Sequence, residues 1–182
     1  MLNTFSLLLL PLSTLLCAGS SDWLEGNFST RAATAPAAYW SLVLWGLLTG
    51  GYFLVLLSQL TAPIFPLSLR LSLLGLILSG GSSLFCSVII PYLPHRFPGW
   101  AHFHVTAAAL SSVLLMGVLL VLILLRLRHV PARRIRLIRG WTCISALSLT
   151  LLWAEGMVTT ALEVCFTLST ILLARMLWLW QD

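Results

Sequence analysis

GWTCISALSLTLLWAEGMVTTALEVCFTLSTILLARMLWLW, residues 140–180, is the stretch that decides the fold. As one helix these 41 residues would reach about 61 Å at roughly 1.5 Å per residue. The hydrocarbon core of a bilayer is only about 30 Å thick, so the run must fold back on itself. The turn falls at Glu155-Gly156, where a glycine without a Cβ relieves the backbone. Two spans follow, 140–155 and 158–180, joined as a tight hairpin.

Working outward, four more apolar runs precede the hairpin. Span 101–125 opens with His102 and His104 and then becomes strongly apolar. Span 71–90 carries Gly75, Ser79, Ser83 and Ser87 at four-residue intervals, which predicts a ridge of small residues on one helix face. Span 38–60 contains Gly46-x-x-x-Gly50, a spacing that lets a neighbouring backbone approach. The first run, 2–18, has Pro11 at its centre and ends in Cys17-Ala18-Gly19-Ser20. It reads as a retained helix, with a cleaved signal peptide as the alternative. Thr14-Leu15-Leu16 before Cys17 makes a poor lipoprotein box. The expectation is therefore an all-α, polytopic membrane helix bundle of about six transmembrane helices, a single domain over 1–182.

Composition supports the class. The chain is 59% hydrophobic and 8% charged, with a mean hydropathy of +1.01, against roughly 25% charged residues in soluble domains. A barrel is excluded because no segment alternates apolar and polar residues over about ten positions. All ten basic residues are arginine, and they sit between or at the ends of apolar runs. No aromatic-basic surface accompanies them, so nucleic acid is not an expected partner despite a pI near 9.6. Cys17, Cys86, Cys143 and Cys165 lack C-x-x-C spacing and read as small hydrophobes.

The arginines set the orientation. Arg126, Arg128, Arg133, Arg134, Arg136 and Arg139 crowd residues 126–139, read as a basic loop. With that loop cytoplasmic, Arg70 and Arg175 join it, and only Arg31 and Arg96 lie outside, a clear positive-inside bias. Both termini are then cytoplasmic if the first span is retained. The stretch 20–36, with Asp22, Glu25 and Arg31, becomes the first outer loop. Its Asn27-Phe28-Ser29 is a formal glycosylation sequon. Trp100, Trp141, Trp178 and Trp180 fall near the expected interfaces and read as aromatic anchors.

This topology gathers His95, His102, His104, Glu155 and Glu163 at or just below the outer face. Glu163 is the sharpest of them, because an acid two turns inside an apolar helix costs a few kcal/mol unless it is paired, hydrogen-bonded or protonated. Thr159 or Thr160, Thr167, Thr170 and Ala174 share its face and should point into the bundle. A histidine of the fourth span is the natural partner. His102 and His104 lie about 200° apart around a helix, so at most one faces inward. His102 is preferred because it shares a face with Ala109 and Leu110. The pair reads first as a structural hydrogen bond between helices, next as a pocket for a lipid headgroup or small polar ligand. The last reading is a metal site built on His102, His104 and Glu163 that activates water. No phosphate loop, G-x-S-x-G elbow, H-E-x-x-H helix or paired haem ligands is present, and no cofactor is expected.

FPGWAHFHVTAAA, residues 97–109, enters the fourth helix with a histidine, and GMVTTALEV, residues 156–164, enters the sixth with a glutamate. In these stretches the chain resembles the DRAM-like (damage-regulated autophagy modulator) six-helix membrane proteins and a related bacterial six-helix family. There a histidine at the start of helix four and a glutamate early in helix six recur, matching His102 or His104 and Glu163. The resemblance implies a non-enzymatic membrane protein concerned with lipid organisation or membrane signalling. The expected partners are membrane lipids and a membrane protein. The alternatives are an outer-leaflet, metal-dependent lipid hydrolase and a small transporter subunit.

Overall fold

The computed structural model describes residues 4–19, 23–61 and 65–180. Residues 2 and 3 of the first expected span, Ser20, Asp22 and Pro63 lie outside the described residues. Those described form seven helices and no strand. They are α1 (Phe5–Ala18), α2 (Phe28–Ala32), α3 (Pro36–Leu60), α4 (Leu67–Ile89), α5 (Pro98–Arg126), α6 (Pro131–Glu155) and α7 (Thr160–Trp180). Five of them, α3 to α7, are long and apolar enough to cross a membrane, the pattern of a multi-pass membrane protein. The first expected span is the departure. At roughly 1.5 Å per residue, α1 reaches only about 21 Å.

Proline sets most of the helix starts. Pro36, Pro98 and Pro131 stand in the first turns of α3, α5 and α6, where a missing N–H costs nothing and a fixed φ favours the helix. In α1 the proline lies deeper, and the chain meets it by widening. Phe5–Leu9 is a π-helical turn, with the N–H of Leu10 bonded to the carbonyl of Phe5. Pro131 also corrects the basic loop. Arg133, Arg134, Arg136 and Arg139 are not in a loop but on the first turns of α6, and Arg126 closes α5. Arginine is a good helix former, so the stretch had no reason to stay irregular after that proline.

The helices close into a ring in the order α1, α3, α4, α5, α6, α7. Gly46 and Gly50 face α4, where a Cβ on either would press on Val88 or Leu84. The small ridge expected on α4 is not the contact face. Gly75 has nothing near it, Ser79 is exposed and only Ser87 is buried. Gly80 and Gly81 make the close approaches instead, against Leu115 of α5 and Leu54 of α3.

The two ends of the bundle differ. Toward the Arg-rich end, Leu56, Leu57, Leu60, Leu119, Leu122 and Ile123 are all but fully buried in one core. Within a bilayer such burial exchanges lipid contact for protein contact, so its gain comes from close fit and dispersion. Arginines close the helix ends here. The Nε of Arg126 donates to the carbonyl of Leu60 at 2.8 Å, and Nη1 of Arg133 to that of Trp180 at 3.1 Å. Both meet orphan carbonyls at the negative end of a helix dipole. Arg136 lies over the Trp180 ring at 5.4 Å. Trp141 donates its indole N–H to the carbonyl of Met116 at 3.0 Å.

At the opposite end Arg31 does the same for α1, donating from Nη1 to the carbonyl of Cys17 at 2.8 Å. Gly19 makes this possible. Its φ is 57° and ψ −153°, a conformation nearly confined to glycine, and a Cβ there would overlap the Arg31 guanidinium. Gly19→Ala should cost about 1–3 kcal/mol, read as a fall in the unfolding midpoint of the purified protein. An unchanged midpoint would show that the arginine cap adds nothing to stability.

Candidate functional site

The first loop is a folded lid. Asn27 caps α2 in a capping box, its Oδ1 accepting from the N–H of Thr30 at 2.8 Å while its own N–H donates to the Thr30 hydroxyl at 3.0 Å. Its Nδ2 donates to the carbonyl of Val158 at 3.2 Å. Both ends of the sequon asparagine are thus engaged in holding the lid. Phe28 is the apolar anchor, 2% exposed and edge-on to Trp45 with centroids 5.2 Å apart.

The lid and α7 satisfy each other's orphan backbone groups. The N–H groups of Thr160 and Ala161, at the start of α7, donate to the carbonyls of Gly26 and Trp23 at 2.6 and 3.0 Å. The N–H of Leu162 finds the Thr159 hydroxyl at 3.2 Å. In return, Oε2 of Glu163 accepts the N–H of Phe28 at 2.6 Å. The first N–H groups of a helix lack intrahelical partners. Here a carboxylate from one helix takes that role for another.

His104 meets the next residue of the lid. Its Nε2 lies 2.8 Å from Oγ of Ser29, and its Nδ1 2.8 Å from the carbonyl of Ile90. A carbonyl only accepts, so Nδ1 carries the proton and donates. In the neutral ring Nε2 then accepts from the Ser29 hydroxyl. The ring ties α4, α5 and the lid together, with Tyr92 beside it at 5.6 Å between centroids.

The candidate residues therefore separate. Glu163 and His104 converge, but on the consecutive residues Phe28 and Ser29, with α2 between them. His102 is exposed, as are Ala109 and Leu110; Ala109 lines the cavity beneath the lid, but His102 and Leu110 do not. The buried face runs through His104, Ala107, Ser111 and Leu115. Glu155 and His95 are exposed and line no part of the site. Among the described residues no group of three or more His, Cys, Asp or Glu side chains is placed to hold a metal ion. The stripe expected on α7 faces inward: Thr160, Thr167, Thr170 and Ala174 are all buried, with Thr159 just before them.

Beneath the lid lies a cavity of about 610 Å³, within the roughly 300–1,000 Å³ of small-molecule sites. Asn27, Ser29, Thr30, His104 and Glu163 contribute its polar end. Thr49, Ser111, Ser112 and Thr167 are spaced along walls otherwise built from Leu84, Phe53, Leu115 and Phe166. Met116 and Thr170 close it toward the core, their Sδ and Oγ1 being 3.7 Å apart. No arginine lines it. Leu152, Met157 and Val158 complete one side, where α5 and α7 touch little and α6 has one buried residue, Leu137.

Sequence reasoning missed the lid itself. Its signal was Asn27-x-x-Thr30, a side-chain oxygen three residues ahead of a second one, the spacing of a helix start. Comparisons with protein-family models, with curated proteins and with solved structures find no match to this chain.

Proposed function

We propose that the chain is a non-enzymatic, multi-pass membrane protein that holds an amphipathic lipid in the cavity beneath its lid. One observation carries this reading. The bundle is tightly filled toward its Arg-rich end, yet toward the lid it keeps a lipid-sized space with a polar end and mixed walls. Protein interiors are close-packed, and large voids are few. A void of this size, bordered by the least buried helix, suits a molecule that enters sideways from the bilayer. Lipid organisation or membrane signalling, which the resemblance to DRAM-like proteins implies, is compatible with such binding.

The orientation proposed with it places the Arg-rich end in the cytoplasm and the lid outside, because eight of the ten arginines fall on one side. In a variant without the four native cysteines, an impermeant maleimide added to intact cells should label His95→Cys and spare Arg128→Cys. The reverse pattern would move the cavity to the inner leaflet.

Occupancy has its own test. Ala108 lines the cavity, and Ala108→Trp should fill much of it. Lipid extracted from the purified protein should contain an amphiphile at near-stoichiometric amount, and the Trp variant should lose it while keeping its helical content. Equal lipid in both would reject the cavity as the binding place.

A further inference from the structure

Resting on the reading that this cavity holds an amphiphile, we infer that the ligand carries a hydrogen-bond-donating head without negative charge, a hydroxyl or an amine. The lining is rich in acceptors, because several of its hydroxyls have already spent their protons inside the protein. Ser29 gives its proton to His104, Ser112 to the carbonyl of Ala108, Ser87 to that of Leu84 and Thr30 to that of Asn27. A hydroxyl has one proton and two lone pairs, so each of these keeps acceptor capacity after donating. The Asn27 amide is engaged at both ends, one of its two N–H donors by the carbonyl of Val158. Glu163 brings carboxyl oxygens and His104 directs its Nδ1 proton at Ile90.

Charge points the same way. With no arginine in the lining, a phosphate or carboxylate head would be buried without a counter-charge. Burying an unpaired ion is far more costly than burying a hydrogen-bonded neutral group. A hydroxyl head meets none of these penalties, and an amine meets none in its neutral form.

Thr49 adds an independent mark. Its hydroxyl is buried, the residue 4% exposed, it lines the cavity, and it has no hydrogen-bond partner. A threonine within a helix usually bonds a carbonyl one turn back. Thr49 leaves that option unused and offers its hydroxyl to whatever fills the space.

Three probes with the same oleoyl chain test the assignment on the purified full chain: 1-oleoylglycerol, oleylamine and oleoyl lysophosphatidate. Binding is read by native mass spectrometry and by the quenching of Trp45, which lines the cavity. At least one donor head should bind about tenfold or more tighter than lysophosphatidate, and Thr49→Val should weaken that binding about three- to tenfold. Lysophosphatidate binding as tightly as both others would overturn the head assignment and leave the lipid-binding reading standing. Unchanged affinity in Thr49→Val would remove Thr49 from it. Saturable binding of none of the three would overturn the lipid-binding reading itself.

Discussion

Glu163→Leu should release the lid while leaving the bundle folded, and Glu163→Gln should keep the lid docked. The N–H of Phe28 gives its proton to Oε2 of Glu163 at 2.6 Å, and an amide oxygen at the same position accepts it equally well. Leucine offers no acceptor, and the N–H is left against apolar surface, which costs about 1–3 kcal/mol. Global stability is a poor readout, because leucine also removes a polar group from an apolar helix, and the two effects oppose each other. Local opening separates them. Amide hydrogen exchange over residues 26–32 should quicken about 10- to 100-fold in the leucine variant and less than about threefold in the glutamine variant. A lid that exchanges equally slowly in both would show that the anchor Phe28 and the Gly26 and Trp23 carbonyls hold it unaided. If glutamine released it as leucine does, the ionised carboxylate would be the group that matters.

What could be read from the sequence follows from what the bilayer enforces. Long apolar runs must be helical because no water satisfies their backbone, so α3 to α7 were legible, as was the turn at Gly156, whose φ is 66°. Polar residues inside such a run must face protein, and this placed Thr167 and Thr170 correctly. The same logic fails where both faces are apolar. In α5 the face toward lipid is as hydrophobic as the face toward protein, so a hydrophobic stripe marks nothing. The inward face is marked instead by its small and polar residues, His104, Ala107 and Ser111. The partner of Glu163 was unreadable for another reason. It is a backbone N–H, carried by every residue but proline, and only the folding back of the first loop brings that of Phe28 to the right place.

The two histidines of α5 should differ sharply when each is replaced by leucine. His104 is 5% exposed and links three parts of the fold, donating to the carbonyl of Ile90 just past the end of α4 and bonding Ser29 of the lid. Leucine at 104 leaves the carbonyl without that donor and the Ser29 hydroxyl without its acceptor. Two lost hydrogen bonds and a part-buried unpaired carbonyl amount to about 2–3 kcal/mol. For a chain of this size that is roughly a 5–10 °C fall in unfolding midpoint. His102 is exposed, two positions away on the opposite face, and its replacement should stay within about 0.5 kcal/mol. A double-mutant cycle isolates the link to the lid: Ser29→Ala and His104→Leu should couple by about 1 kcal/mol, whereas Ser29→Ala and His102→Leu should simply add. Both variants also report on the cavity. Losing His104 frees the lid edge that borders it, so the bound amphiphile should exchange faster in His104→Leu and at the wild-type rate in His102→Leu. Equal effects of the two substitutions would mean that α5 is rotated from the placement described, with His102 turned inward, and the polar end of the cavity would have to be rebuilt around it.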